Sequence, residues 1–560
     1  MRIERHQVDG ARVAEAREDF VERIGRQVHS YSRAGLMATV EWQLIAGSFL
    51  DYLGALSTTR PELDSPEAKA VLKDATEAAC GAVSFAAYYP HDSFHVFLDY
   101  PNFGMSYYRE AGLERDPHHR VDAREWLDAF SLAIISDEIS RHGEAFCWAR
   151  QLMPDEPVTP ALALVDAFVA HFFEDAGLAA PGSPGSPGAE PQPGPRALRA
   201  LTDQDREGFD AALLTLLQDG PHGTGPAGLL PLVPIALAAL AYRTHGWTPA
   251  VDTDYLPHAL VTGFETPGPR VHGLGRDRRP DAVAELAAAP VHLERPELER
   301  PFSPDSEARF ERRTLEAITP EDGEPLDARE LADALRYQTN LLGARASQSS
   351  DACDAQLAHL RLGSRLGAAA FRAALAEPGT EAEVTVDGRT LRFPAYRGRD
   401  FGPAFWQTAL SYALITGSSE DLEPLLLAGP AIAADDRSPY APYRTALHDL
   451  LRGADPLPAT ELALKEAERT PDQTVFLPPP VVLFSQLVGG DETSFNLALL
   501  DALEAHRDHH SIADRADGPE AALSLDVLAL ACHARRSRGW SIHVRSPYLP
   551  PRLLAAARPA

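Results

Sequence analysis

The sequence predicts a mainly all-α protein made of two homologous helical halves. Two observations carry this prediction. Apolar residues recur at three- and four-residue steps through most of the chain, which places them on one face of a helix. In addition, the segment HGWTPAVDTDYLPHALV at residues 245–261 reappears as RGWSIHVRSPYLPPRLL at residues 538–554. Such a repeat, closing two stretches of similar size, predicts an internal duplication.

The repeated segment belongs to a longer series of matches. Upstream blocks match in the same order: residues 81–87 with 367–373, 126–136 with 406–416, and 201–220 with 487–506. Composition alone does not explain matches that keep their order and nearly keep their spacing. We therefore predict two similar bundles, or α-hairpins, in a monomer whose halves are related by a pseudo-two-fold axis.

Each repeated phrase predicts the end of a helical half. Gly246 and Gly539 stand where a helix C-terminus favours a residue with positive φ. The following tryptophan and tyrosine are expected to fold the chain back onto the bundle, since aromatic residues at helix ends are usually packing residues. A Leu-Pro pair then begins a short closing helix.

The first three helices have the clearest patterns. Residues 11–29 and 40–56 each place five apolar side chains at helical spacing. The third helix begins where Ser65 precedes Pro66. A serine oxygen can accept a bond from a first-turn N–H, and proline at the first helical position loses no bond.

Strand patterns are confined to two short regions. Alternation in AEVTVDGRTLRF flanks the turn Asp387-Gly388 and predicts a small β-hairpin near residues 383–393. The corresponding place in the first half is FHVFLDYPNFGMSYY, which is rich in aromatic residues and is expected to be partly extended.

Two proline-rich regions divide the chain. We predict a first half over residues 1–265, a connector over 266–325 and a second half over 326–560. Within the first half, residues 180–195 are rich in Pro, Gly and Ser and predict a mobile tether. The connector carries an arginine patch that could bind an anion, although anchoring to acidic neighbouring surfaces is the favoured role: Arg270, Arg276, Arg278 and Arg279.

The composition indicates a soluble protein with a strong acidic excess. A chain of 560 residues exceeds what one hydrophobic core usually serves, so two or more domains are expected. Lysine and arginine number 52 against 81 aspartates and glutamates, for a formal net charge of −29. This charge disfavours nucleic acid and anionic membranes as partners and favours a basic protein. An acidic proteome that uses arginine in place of lysine explains the charge equally well.

Targeting and membrane signals are not evident. The first residues lack the apolar region of a signal peptide. The longest apolar run, residues 227–242, contains two prolines and is shorter than a membrane span. The four cysteines show no CxxC spacing, which disfavours structural zinc and disulfides. These features predict a cytoplasmic protein.

Catalytic motifs are also sparse. The sequence has no Walker lysine loop and no GxSxG, HExxH or GxGxxG motif. His506, His509 and His510 lie at one-turn spacing without a convincing further metal ligand, so a solvated helix end is favoured over a metal site. On this basis we predict no catalytic, cofactor-binding or metal-binding residues.

One segment resembles a known metal motif. SDEISRHGE at residues 136–144 is similar to the second magnesium motif of terpene cyclases, with Asp137, Ser140 and Glu144 at matching steps. Three oxygen ligands on one helical face suit Mg²⁺ bound to diphosphate. Because no DDxxD motif precedes it and the second half does not keep the pattern, an exposed acidic helix end is the preferred interpretation.

The chain as a whole resembles the immunity 49 family, whose members are mostly α-helical proteins of bacterial polymorphic toxin systems. Passages that carry the resemblance include FHVFLDYPNFGMSYY, EWLDAFSLAIIS, ALVTGFETPGPRV, PDSEARFE, LAEPGTEAEVTVDGRTLRFPA and SPYLPPRLL. They span almost the whole chain and match the long form of the family. The resemblance implies a cytoplasmic antidote that binds and neutralises a cognate toxin, and it provides no catalytic residues to carry over.

Charge and resemblance together predict a non-enzymatic immunity protein whose partner is a basic toxin such as a nuclease. The alternatives are a non-catalytic helical interaction scaffold and, less favoured, a Mg²⁺-dependent enzyme of the terpene-cyclase kind. The predicted contact stretch combines aspartates, which suit a basic partner, with tyrosine and asparagine: Asp92, Asp99, Tyr100, Asn102 and Tyr107. Against this, neighbouring phenylalanines could bury the stretch.

Overall fold

The computed structural model is mainly helical, which confirms the predicted fold class. It describes residues 2–154, 157, 159–173, 192–219, 223–264, 268–296, 303–320, 326–386, 388–469 and 477–559. The chain divides into two compact units, Met1–Thr266 and Pro267–Ala560. Most of the tether predicted at 180–195 lies outside the described residues.

The helices of the first unit follow one another with few strands between them. They are α1 Gly10–Arg17, α2 Phe20–Ala34, α3 Thr39–Leu56, α4 Pro66–Tyr88, α5 Ala123–Ile135, α6 Ile139–Gln151, α7 Pro160–Phe172, α8 Pro193–Thr202, α9 Arg206–Asp219, α10 Leu232–His245 and α11 His258–Thr262.

The core of the first unit is centred on α3 and α4, which pack along each other. The apolar stripe predicted for residues 40–56 is buried, with Trp42 and Phe49 fully enclosed. The Ser65 side chain accepts the Ala68 N–H at 3.2 Å, which confirms the predicted start of α4. By contrast, the helix predicted over 11–29 is two helices, because Asp19 adopts a left-handed conformation with φ of 44°.

A long apolar helical segment also belongs to this core. The segment Pro226–His245 is long and apolar enough to cross a membrane by length and composition, and half of it is buried. Its α-helical part, α10, has 14 residues. At about 1.5 Å per residue it is shorter than the roughly 30 Å hydrocarbon layer of a bilayer. It packs against α5, as a core helix does.

Short strands occur in three pairs among the described residues. The strands are β1 Phe94–Leu98, β2 Phe103–Tyr107, β3 Val291–His292, β4 Glu381–Val386, β5 Arg389–Pro394 and β6 Val544–Arg545. β1 and β2 form an antiparallel hairpin, as do β4 and β5, whereas β3 and β6 pair in parallel. The hairpin predicted near residues 383–393 is therefore present, and the aromatic stretch of the first half is a hairpin as well.

The second unit is again a set of packed helices. They are α12 Pro280–Ala288, α13 Pro304–Ala317, α14 Glu330–Ser347, α15 Asp354–Leu375, α16 Pro403–Thr416, α17 Ser419–Asp435, α18 Ala441–Leu451, α19 Leu457–Arg469, α20 Val481–Gly489, α21 Glu492–His509, α22 Leu525–Arg538 and α23 Pro551–Ala556.

The second unit combines close helix packing with the described parts of the predicted connector. α15 and α16 approach closely at Gly367, where a Cβ atom would lie 2.6 Å from the Ala409 Cβ atom. The described parts of the 266–325 segment are packed within the unit, because α12 contacts α21 and α13 contacts α14. This segment therefore contributes helices to the second unit.

The closing phrases have the same local structure in both units. Gly246 ends α10 with φ of 68°, and Gly539 ends α22 with φ of 73°, as predicted. The Trp247 ring lies 5.9 Å from that of Phe209 at 52°, and the Trp540 ring lies 5.4 Å from that of Phe495 at 53°. A short helix begins within the last residues of each phrase, α11 in one unit and α23 in the other.

Further contacts recur at the positions that the aligned blocks pair. The Trp126 indole N–H donates to a backbone carbonyl on α6 at 3.0 Å, and that of Trp406 donates to one on α17 at 2.9 Å. Arg243 donates to the two last carbonyls of α5, and Arg536 donates to the corresponding pair near the end of α16. These paired contacts support the duplication, which remains a prediction.

Candidate partner-binding sites

The turn of the β1–β2 hairpin is anchored to α4 by a buried carboxylate. Asp74 accepts the backbone N–H groups of Asp99 at 3.0 Å and of Tyr100 at 2.7 Å. Burial raises the pKa of Asp74 to about 8, against the opposing effect of these two N–H bonds. The Tyr100 hydroxyl donates to Glu67 Oε1 at 2.6 Å. These hydrogen bonds therefore fix the turn to α4.

The open end of the hairpin is anchored by Tyr107. Its hydroxyl donates to the Met37 carbonyl at 2.6 Å and accepts from the Trp42 indole nitrogen at 2.8 Å. Burial raises the pKa of the Tyr107 hydroxyl, with Glu41 contributing in the same direction. Two of the five predicted contact residues, Tyr100 and Tyr107, thus have buried side chains bonded to their own protein.

The other predicted contact residues lie closer to solvent. Asp92 and Asn102 are exposed, and Asp99 is half-buried. The Asp92 carboxylate accepts the Ser93 N–H at 2.8 Å. Asn102 has φ of 48°, and its N–H donates to the Asp99 carbonyl at 3.2 Å, so asparagine serves the turn here. The structure therefore places these residues at both ends of one hairpin, and partner binding by them stays a prediction.

The outer face of the β1–β2 hairpin is aromatic. His95 and Phe97 point away from α4, with their rings 6.3 Å apart and nearly parallel. A Cβ atom at Gly104 would lie 3.1 Å from the His95 ring and 3.3 Å from that of Phe97, so the glycine allows both rings to lie close to β2. In the β4–β5 hairpin the matching outer face is polar, with Glu383 and Arg392 paired at 3.4 Å.

A crevice of about 650 Å³ opens between α6 and the end of α7. Trp148 is 48% exposed there. Among the lining residues that the structure describes, Glu144 is the one carboxylate, and none is lysine, arginine or histidine. This site was not predicted from the sequence. We define the α6–α7 crevice by its lining: Ile139, Ser140, Gly143, Glu144, Cys147, Trp148, Gln151, Phe172 and Phe173.

The segment resembling a magnesium motif does not converge on one point. Ser140 and Glu144 line the crevice, whereas Asp137 precedes α6 with φ of 64° and lies 3.3 Å from Arg243 Nη1. The Ser136 hydroxyl is bonded to Thr76 at 2.7 Å. In the part of the chain that the structure describes, no group of three or more His, Cys, Asp and Glu residues is arranged to hold a metal ion.

Of the three histidines near the end of α21, His506 is buried, and His509 and His510 are half-buried. His506 is buried, with its ring 4.5 Å from that of His510 and 5.1 Å from that of Tyr548. Burial lowers the pKa of His506 to about 3 and that of His509 to about 4. The prediction of a solvated helix end is wrong for His506, because the following 513–522 segment and the closing phrase cover this end.

The arginine patch of the predicted connector is used within the second unit. Arg270 Nη1 lies 2.7 Å from Asp501 and 2.5 Å from Glu504. Arg278 pairs with Asp491 at 3.2 Å. These contacts with α21 and the residue before it agree with the favoured anchoring role.

Comparison with protein families decides what kind of molecule carries these surfaces. Residues 188–260 and 349–553, together about half of the chain, match the family described as Immunity protein 49. The chain belongs to the immunity 49 family. Membership implies an immunity protein of a toxin system. No curated protein and no solved structure matches the chain.

The segments that match the family include some structural features of this immunity 49 protein and leave out others. Trp247 and Trp540 of the closing phrases both lie in matched segments, as does the β4–β5 hairpin. The β1–β2 hairpin and the α6–α7 crevice lie outside them. The matched segments thus contain framework features, and the two candidate binding surfaces are features that the family match does not account for.

Proposed function

We propose that this immunity 49 protein resides in the cytoplasm and neutralises a basic toxin by stoichiometric binding, without catalysis. The family match carries the proposal, and the net charge of −29 indicates the charge of the partner. Many nuclease toxins present basic surfaces because they bind phosphates. An acidic protein reaches such a surface at electrostatically assisted rates.

The β1–β2 hairpin supports the proposal as a contact region. Its inner face is fixed by Asp74, Tyr100 and Tyr107, so little conformational freedom is lost when the outer face is covered. Asp92 and Asn102 remain exposed for a partner. We therefore assign the buried tyrosines a supporting role and the exposed polar residues a contact role.

Co-expression tests the proposal. Each toxic protein encoded beside this gene is expressed in a sensitive host with and without the full chain. We expect one toxin to be neutralised and to co-purify with the chain at a one-to-one ratio. If no toxin is neutralised and no partner co-purifies, the antidote function fails and an interaction scaffold becomes the better account.

A further inference from the structure

The α6–α7 crevice brings aromatic rings and a carboxylate together at the surface. Glu144 and Trp148 stand one turn apart on α6, with the Trp148 indole nitrogen 3.4 Å from Glu144 Oε1. Phe172 and Phe173 supply the opposite wall from the end of α7. A concave site with aromatic walls and one carboxylate has the composition that favours an organic cation.

Packing behind the crevice keeps the phenylalanine wall in place. The buried Phe130 ring lies 5.4 Å from that of Phe172 and 6.1 Å from that of Phe173. The Phe173 ring also lies over Gly143, where a Cβ atom would approach it to 2.9 Å. Gly143 therefore allows the ring to reach α6, and larger side chains there would displace the wall.

The cationic side chains near the crevice pair with other residues and not with the Glu144 carboxylate. Arg141 pairs with the buried Glu77, and Arg150 pairs with Asp166 at 2.6 Å, so the two arginines of α6 are engaged elsewhere. Glu144 has no ion pair among the described residues, and its hydrogen bond is with Trp148. A cation that enters the crevice therefore meets a carboxylate that no cationic side chain among the described residues neutralises.

We propose that the α6–α7 crevice receives an arginine side chain of the toxin, an inference that rests on the proposed function. A planar guanidinium stacks on an indole face and donates two parallel bonds to a carboxylate, which Trp148 and Glu144 together offer. Exposed tryptophans that fill pockets at interfaces often carry much of the binding energy. The acidic charge of the chain matches a basic partner at this site.

A peptide titration tests the crevice without the toxin. The probe is acetyl-Gly-Ser-Arg-Ser-Gly-amide, and the control peptide carries citrulline, which has the shape of arginine without its charge. We expect the arginine peptide to shift the Trp148 indole signal of the full chain in NMR spectra, and the citrulline peptide to bind roughly tenfold more weakly or not at all. Equal shifts with both peptides, or no shift with either, would overturn the inference.

Variants of the full chain then connect the crevice with the toxin. Trp148→Ala and Glu144→Gln should each weaken toxin binding at least tenfold, whereas Trp148→Phe, which keeps a ring, should recover part of the loss. The matched controls are Leu315→Ala, an exposed apolar residue of α13, and Glu207→Gln, an exposed carboxylate of α9. Circular dichroism melting curves verify that every variant is folded.

The outcomes separate this inference from the proposed function. If the unaltered chain neutralises a toxin and both crevice variants bind it as tightly as the controls, the inference is wrong and the proposed function stands. If the unaltered chain neutralises none, the proposed function fails, and the peptide titration alone decides whether the crevice binds guanidinium.

Discussion

At the scale of single residues, Asp74 shows how a buried carboxylate can organise a surface. It lies inside α4, yet its two oxygens accept the N–H groups of Asp99 and Tyr100 in the hairpin turn. Without it, two backbone donors near the turn would lose their partners. A buried residue can thus determine the shape of a surface that its own side chain does not reach.

Replacement of Asp74 by alanine should therefore be costly. We expect Asp74→Ala to lower the free energy of unfolding of the first unit by about 3 kcal/mol, because the part-buried N–H of Asp99 and the buried N–H of Tyr100 are left unpaired. Urea denaturation followed by circular dichroism measures the loss. Asp92→Ala, at an exposed carboxylate of the same hairpin, is the control and should change stability by less than about 0.5 kcal/mol. Similar losses in both variants would contradict this role for Asp74.

The pKa of His506 predicts a pH dependence of stability. Burial lowers it to about 3 from the ordinary value of 6.5, so between these values the unfolded chain binds a proton that the folded chain does not. This contribution to stability is complete above pH 6.5 and is lost as the pH falls toward 3. By pH 5 the loss should be about 2 kcal/mol.

The matched variant His506→Gln isolates this effect. Asp74 acts in the opposite sense, because its raised pKa stabilises the folded state as the pH falls through about 8. The unaltered protein and the His506→Gln variant share Asp74, His509 and His510. The urea midpoint of each is measured at pH 7.5 and at pH 5, and the difference between the two pH responses reports on His506. An equal pH response in both proteins would show that His506 can be protonated within the fold.

At the scale of elements, the sequence pattern was sufficient to predict a feature wherever residues close in the chain determine it. The Ser65 cap, the left-handed Gly246 and Gly539 and the pairing of β4 with β5 all follow from neighbouring residues, and the structure has them. The break at Asp19 was missed because the apolar stripe continues across it. The α6–α7 crevice was missed for a different reason: its walls come from separate helices, and Trp148 has the spacing of a core residue.

The β1–β2 hairpin gives a prediction about association. If the exposed end of the hairpin meets a basic toxin, Asp92→Asn should slow association two- to five-fold at low salt and leave dissociation nearly unchanged, because a rim charge acts mainly by steering. Surface plasmon resonance at several salt concentrations measures both rates. Glu207→Gln removes the same charge on α9 and serves as the control. A larger effect on dissociation would place Asp92 in the interior of an interface.

At the scale of the whole molecule, the repeated contacts favour two halves of common design. The repeated phrases were visible in the sequence because aromatic residues, glycine and proline are distinctive there. The arginine contacts were not, since Arg243 and Arg536 donate to backbone carbonyls, and any sequence supplies those acceptors. Only the structure shows that the two arginines cover corresponding helix ends, Arg243 that of α5 and Arg536 that of α16.

The duplication predicts matched effects of matched substitutions. Trp247→Ala removes the ring contact with Phe209, and Trp540→Ala removes that with Phe495. Each should destabilise its own unit by about 2 kcal/mol. Hydrogen exchange measured by mass spectrometry should show faster exchange in that unit alone. Trp148→Ala, at an exposed ring, is the control, and unequal roles for the two closing tryptophans would count against a common design.

The contrast between the two hairpins bears on how such a chain evolves. Glu383 and Arg392 neutralise each other across the β4–β5 hairpin, and this hairpin lies within the matched family segments. The β1–β2 hairpin lies outside them and carries the exposed His95 and the half-buried Phe97 on its outer face. If the two halves arose by duplication, selection can conserve one copy of the hairpin for the framework while the other copy changes together with the toxin. We therefore expect the outer face of the β1–β2 hairpin to diverge fastest between relatives, while Asp74 beneath it stays constant.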